Sequence, residues 1–239
     1  MATPEDTATA LRSRIARWES NPPNVSGTLR EKRRLAAAMR VVIERLVQTD
    51  APEAELAAAA DALERYAAQL DTHPRPNRYE GFAETSNAGD TGGFFDHSPL
   101  IGLANPLSPP LELRADEDRV RVHGRGVFGA PYEGPPGSVH GGYVAAAFDE
   151  VLGFANALSG TPGMTGTLTV RYRRPTPLYT ELRFEGRYLR SEGRKIFTEG
   201  KLFAGEALCA EAEGLFIAVP AERFRALYEE RQKRERDGG

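Results

Sequence analysis

The stretch Glu133–Gly153, EGPPGSVHGGYVAAAFDEVLG, constrains this chain more than any other. A turn-rich run leads through His140-Gly141-Gly142 into an apolar segment that is predicted helical over about 140–158. At about 100° per residue, Val144, Phe148, Val151, Ala155 and Leu158 share one side. That stripe needs an apolar surface, and the flanking sequence supplies strands. LELRAD and RVRVHGRGVF precede it, alternating around Asp116-Glu117-Asp118. GTLTVRYRR, ELRFEGRYLR, RKIFTEGKLFA and ALCAEAEGLFIAV follow it, separated by the turn-like PTPLY, SEG and GE. Links this short favour antiparallel pairing. The predicted class is α+β, one long helix laid on a curved sheet.

The rest of the chain divides around that domain. Residues 1–74 read as a helical N-terminal extension. Thr28 and Glu31 have capping-box spacing, and Leu35, Met39, Val42 and Leu46 recur at helical intervals after them. Asp50 and Glu53 repeat the capping pattern before a second helix striped by Leu56, Leu63 and Leu70, which His73-Pro74 ends. The two helices are expected to form a hairpin with a thin apolar seam, covered by the rest of the chain or another subunit. Residues 75–108 read as a linker and lead-in, in which SPLIGLANPLSPP packs on the core in extended form. Residues 109–220 form the main domain, and 221–239 a charged C-terminal helix or tail.

Composition excludes several functions. A net charge of −3 is wrong for a general nucleic-acid binder. No apolar run reaches the length of a bilayer span, and the first residues lack a secretory signal, so the cytoplasm is the expected compartment. The single cysteine, Cys209, sits in a strand candidate and reads as buried. His73, His97, His123 and His140 lack ligand spacing, so no metal site is expected. No phosphate-binding or dinucleotide fingerprint occurs. A His-Gly-Gly run also occurs in lipase oxyanion loops, but neither Ser159 nor Ser191 lies in the required G-x-S-x-G elbow.

The central helix carries two adjacent acids. Asp149 falls on the flank of Gly142, Ala145 and Asn156, and Glu150 on that of Tyr143 and Phe154, so they are not a paired-carboxylate site. Taken singly, Asp149 reads as a solvated helix acid, His140 as a cap and the glycines as a tight turn. Taken together they fit an oxyanion site. The N–H groups of Gly141 and Gly142 at the helix start are expected to lack intrahelical partners, and they lie at the positive end of the dipole. A carboxylate two to three turns on can act as general base or nucleophile. Partial burial at an apolar site is expected to raise the pKa of Asp149 unless hydrogen bonds compensate.

GPPGSVHGG, with Asp149 nine residues after His140, resembles the hotdog-fold acyl-CoA thioesterases. The similar branch holds phenylacetate-pathway thioesterases and the carboxyl-terminal-modulator-protein type. NPLSPPLEL and GMTGTLTVRYRRPTPL add to the resemblance, which covers about 97–219. It implies that the Gly141 N–H polarises a thioester carbonyl, with Gly142 beside it. Asp149 would activate water or attack, His140 would shape the loop, and Thr165 would help hold the nucleophilic water. It also implies a homodimer, or a dimer of dimers, with sites across the interface. Some relatives carry an amide side chain six residues before the His, where this chain has Gly134. Coenzyme A enters as part of the substrate, and no cofactor is implied. Its phosphates call for cations. Residues 171–201 hold nine Arg and Lys against four Glu, with Arg194 and Lys195, then Arg173 and Arg174, as candidates. The rival readings are an acyl-CoA sensor or carrier without hydrolysis, a structural partner docking through the helical extension, and an enoyl-CoA hydratase, whose Asp and His arrangement is absent.

Overall fold

The computed structural model describes residues 25–73, 95–117, 120–161 and 163–219. The expected helix over 221–239 and the first part of the 75–108 connection lie outside the described residues. Helices α1 (Gly27–Leu46) and α2 (Glu53–Asp71) come first. Strands β1 (Glu112–Ala115) and β2 (Arg121–Gly126) follow, then α3 (Gly141–Ala157). Strands β3 (Gly163–Tyr172), β4 (Leu182–Glu192), β5 (Lys195–Ala204) and β6 (Ala207–Ala218) complete the sheet. All pairs are antiparallel, in the order β1-β2-β4-β5-β6-β3. Each strand candidate of the sequence is a strand. The arrangement is the hotdog fold, a curved sheet wrapped on one long helix.

The helix lies deep in the sheet because glycines stand where it comes nearest the strands. Gly186 and Gly200 pair across β4 and β5. A Cβ at Gly186 would stand 2.8 Å from Val151, and one at Gly200 would stand 3.0 Å from Leu152. Their absence lets α3 approach. Val144, Phe148, Val151, Ala155 and Leu158, the predicted stripe, are all buried, as is Cys209.

The N-terminal helices depart from expectation. The cap of α1 is Ser26, whose Oγ accepts the Leu29 N–H at 3.2 Å, and not Thr28. Pro52 precedes α2 with no side-chain cap, so Asp50 does not cap it. The expected hairpin seam is absent: α1 and α2 do not pack along their lengths, and no residue of α2 is buried. Instead α1 docks on the main domain through polar ties. Arg33 donates to both oxygens of buried Asp96, at 2.7 and 2.9 Å. Arg40 donates to the Asn105 carbonyl at 2.9 Å, and Glu44 accepts the Tyr179 hydroxyl at 2.8 Å. Leu56, Leu63 and Leu70 stay exposed because no described residue covers them. The lead-in does pack on the core, through Phe95, Leu100 and Ile101. It does so in turns and not in extended form, because Ser98 Oγ accepts the Leu100 and Ile101 N–H groups, each at 3.2 Å.

Candidate active site

His140 is the N-cap of α3. Its N–H donates to the Tyr132 carbonyl at 2.8 Å, and its own carbonyl accepts the Tyr143 N–H at 2.9 Å. Its Nδ1 accepts the Gly142 N–H at 3.0 Å. An imidazole that accepts at Nδ1 is neutral and carries its proton on Nε2. The two glycine amides lack backbone partners in the helix as expected, but a side chain takes one of them. His140 uses its ring as Asp or Ser caps use their oxygens, so only the Gly141 N–H lacks an acceptor among the described residues. No side chain fits at Gly134, where a Cβ would stand 2.7 Å from the His140 Cα. A second carbonyl-polarising side chain therefore cannot come from that position.

Asp149 and Thr165, sixteen residues apart, meet: Thr165 Oγ1 donates to Asp149 Oδ1 at 2.8 Å. The register explains how. The β3–β6 ladder is regular except for a bulge between Thr165 and Thr167, which leaves Gly166 extra. An extra residue reverses which face the following positions take. Thr165 therefore shares the helix-facing side of β3 with Leu168, Val170 and Tyr172, whereas a regular strand would separate Thr165 from Tyr172. Tyr172 lies over the start of α3, its hydroxyl donating to the Gly141 carbonyl at 2.8 Å. Sequence reasoning missed this tyrosine. The one signal for it was Gly166, a glycine inside a strand, which marks a bulge.

The two acids of α3 exchange their expected properties. Asp149 is exposed in the single chain, so the expected partial burial is not found there. Glu150 is the perturbed group, pushed up to about 7. Removal from water is the main cause, the Asp149 charge adds to it, and a hydrogen bond with Ser98 opposes it. Sequence placed Glu150 on a separate flank correctly but could not show that the lead-in covers it.

Gly141 and Asp149 are eight residues apart, about 12 Å along the helix axis. A thioester carbonyl within hydrogen-bond reach of that amide lies out of reach of a water held by that carboxylate. Within one chain the two halves of the chemistry do not converge.

The candidate cations separate. Arg173 is paired with Glu211 at 2.8 Å. Arg171, Arg183, Arg187 and Arg190 are likewise paired with glutamates. Arg174, Arg194, Lys195 and Lys201 have no ion pair among the described residues. Arg194 and Lys195 follow the turn at Gly193, where φ is +58°. The Lys195–Ile217–Met164 register puts them at the Thr165 end of the sheet, whereas Arg173 and Arg174 follow Tyr172 at the Gly141 end. No helix among the described residues is long and apolar enough to cross a membrane.

The family model of the thioesterase superfamily matches residues 136–210, which hold the His140 cap, α3 and β3 to β5. The crystal structure of a thioesterase superfamily protein is 38% identical, covers 82% of this chain and 97% of its own, and superposes with a TM-score of 0.70. Acyl-coenzyme A thioesterase THEM4 of Xenopus laevis is 38% identical over 92 residues, 37% of this chain and 41% of that protein. The Bos taurus protein of that name is 35% identical over 98 residues, 40% of each chain. The match thus spans about two fifths of the length of these curated relatives.

Proposed function

This chain belongs to the thioesterase superfamily, and from that premise we propose that it is a cytoplasmic enzyme hydrolysing an acyl-CoA to the free acid and CoA. Residues 109–220 are its catalytic unit, and 1–74 an appendage docked through α1. The observation that carries the reading is the pair of half-sites on α3. One end offers the free Gly141 N–H, and the other offers the Asp149 carboxylate held by Thr165.

The protein acts as a homodimer. The roughly 12 Å of helix axis between the half-sites favours a second copy completing each one, and the fold offers a place for it. Strand β3 is the last in the sheet, and its outer edge has no partner among the described residues. An exposed edge of this kind is a template for pairing. A two-fold axis across that edge sets the two α3 helices antiparallel. The Gly141 end of one then lies beside the Asp149 half of the other.

In the reaction the Gly141 N–H, aided by the helix dipole, binds the thioester oxygen as it gains negative charge. The partner subunit's Asp149 takes a proton from water, which attacks the carbonyl carbon, and returns that proton to the CoA thiolate as the C–S bond breaks. Alternatively it attacks the carbon itself, forming a mixed anhydride as the thiolate leaves, which water then hydrolyses to the free acid. Thr165 holds the carboxylate in place. His140 fixes the loop and consumes the Gly142 amide, so the site has one backbone donor. Arg194, whose Nε donates to the Ala218 carbonyl at 3.3 Å, and Lys195 are the cations assigned to the CoA phosphates, with Arg174 as the second choice. The pair between Arg173 and Glu211 favours it least. Water is the second substrate and no cofactor takes part.

The test is thiol release from short-chain, long-chain and aryl acyl-CoAs, alongside binding of CoA by calorimetry. Turnover of at least one acyl-CoA is expected. Binding without turnover of any would assign the chain as an acyl-CoA sensor or carrier.

A further inference from the structure

Resting on the thioesterase reading, we infer that Tyr172 is a positioning residue that aims the Gly141 N–H by clamping the peptide plane that follows it. The argument starts from the weakness of a glycine at this place. Gly141 and Gly142 have no side chains to restrict them, and glycine explores backbone conformations closed to other residues. An oxyanion donor on such a residue is useful only if the neighbouring planes are fixed, because its catalytic worth depends on direction as well as presence.

Both planes are fixed. The 140–141 plane is held through the His140 carbonyl, which accepts from Tyr143 and Val144 at 2.9 and 3.3 Å. The 141–142 plane is held at its two ends by two side chains. His140 Nδ1 takes the Gly142 N–H at 3.0 Å, and the Tyr172 hydroxyl gives its proton to the Gly141 carbonyl at 2.8 Å. The Tyr172 ring backs the same glycine, since a Cβ there would lie 3.4 Å from its ring carbon and its oxygen. A Cβ there would touch that ring at ordinary van der Waals distance, so the ring and the glycine lie in direct contact.

The clamp comes from the strand that also holds the catalytic carboxylate's partner. Because of the bulge at Gly166, Tyr172 and Thr165 project from one face of β3. Tyr172 reaches the amide end of α3 and Thr165 the acid end. A single strand therefore sets both half-sites. In the single chain Tyr172 is more than half exposed, on the strand whose edge the second subunit is proposed to pair with.

The test is Tyr172→Phe, which keeps the ring against Gly141 and deletes the hydroxyl. Two readouts apply. Amide hydrogen exchange at Gly142, followed by NMR, should accelerate at least about tenfold as the plane loosens. Against the best acyl-CoA, kcat should fall about tenfold with KM and melting temperature unchanged, the signature of a donor present but misdirected. With His140→Ala the two losses should not add, since both side chains hold one plane. Unchanged exchange overturns the clamp, and faster exchange with unchanged kcat overturns its positioning role. A wild-type protein that hydrolyses no acyl-CoA sinks the thioesterase reading instead, and the exchange measurement still decides the clamp.

Discussion

Helices α2 and α3 are similar in length and both rich in alanine, yet they exist for different reasons. Helix α3 buries nine of its residues in the groove of the sheet, and α2 buries none. Helix α2 is held by propensity: alanines dominate it, and Glu53 and Glu55 sit favourably at its N-terminal end. Helix α3 contains three glycines, poor helix formers, and is held by packing. The contrast teaches where function can reside. A helix fixed by its core face can carry glycines at its start, a free amide and acids on its flanks without relying on propensity.

The sharpest way to break the comparison is to remove the core contact. Phe148→Ala should destabilise the fold by about 3–5 kcal/mol in urea unfolding, because Phe148 is fully buried and its cavity is walled by the sheet. A loss below about 1 kcal/mol would mean that α3 is not held as described. Arg33→Ala should cost about 3 kcal/mol, since it leaves the buried Asp96 carboxylate without its cation. If stability is unchanged, α1 is not a docked element.

Glu150 sharpens the picture inside α3. Its folded pKa of about 7 lies above the ordinary value of 4.5, so the folded chain holds a proton that the unfolded chain has released. Wild-type stability should therefore fall as pH rises from about 4.5 to about 7. Glu150→Gln should remove that slope and gain on the wild type between pH 5 and pH 8. Parallel pH profiles for the two proteins would contradict the assignment. The smallest effect is expected at Leu63→Ala in α2, within about 0.5 kcal/mol of wild type. A larger loss that grows with protein concentration would show that another copy covers that stripe.

What the sequence revealed follows the same division. The strands, the bounds of α3 and its buried stripe were legible because each is written in a local period, and the Asp149–Thr165 pair entered through the resemblance. The capture of the Gly142 amide by His140, the hydrogen bond between Ser98 and Glu150 and the bond from Tyr172 to Gly141 were not legible. Each depends on where a ring or a distant segment comes to rest. Tyr172 and Gly141 are thirty-one residues apart, and the bulge at Gly166 reverses the alternation that would have assigned their faces. The expected hairpin failed because the apolar spacing of α1 and α2 says that a stripe exists and not what meets it.

The central claim is that Gly141 of one subunit and Asp149 of another make each site, and co-assembly tests it most directly. Asp149→Asn removes the carboxylate. Gly141→Pro removes the N–H at a position where proline suits a helix start, and His140 already has the extended ψ of 133° that precedes proline. Each variant alone should lose at least about a hundredfold in acyl-CoA hydrolysis. Subunits of the two variants, unfolded together and refolded as mixed dimers, should recover about a quarter of wild-type activity. Half the dimers are then mixed, and each mixed dimer has one intact site of two. Recovery near that level is the predicted result, and mixtures no more active than the separate variants would contradict the shared site.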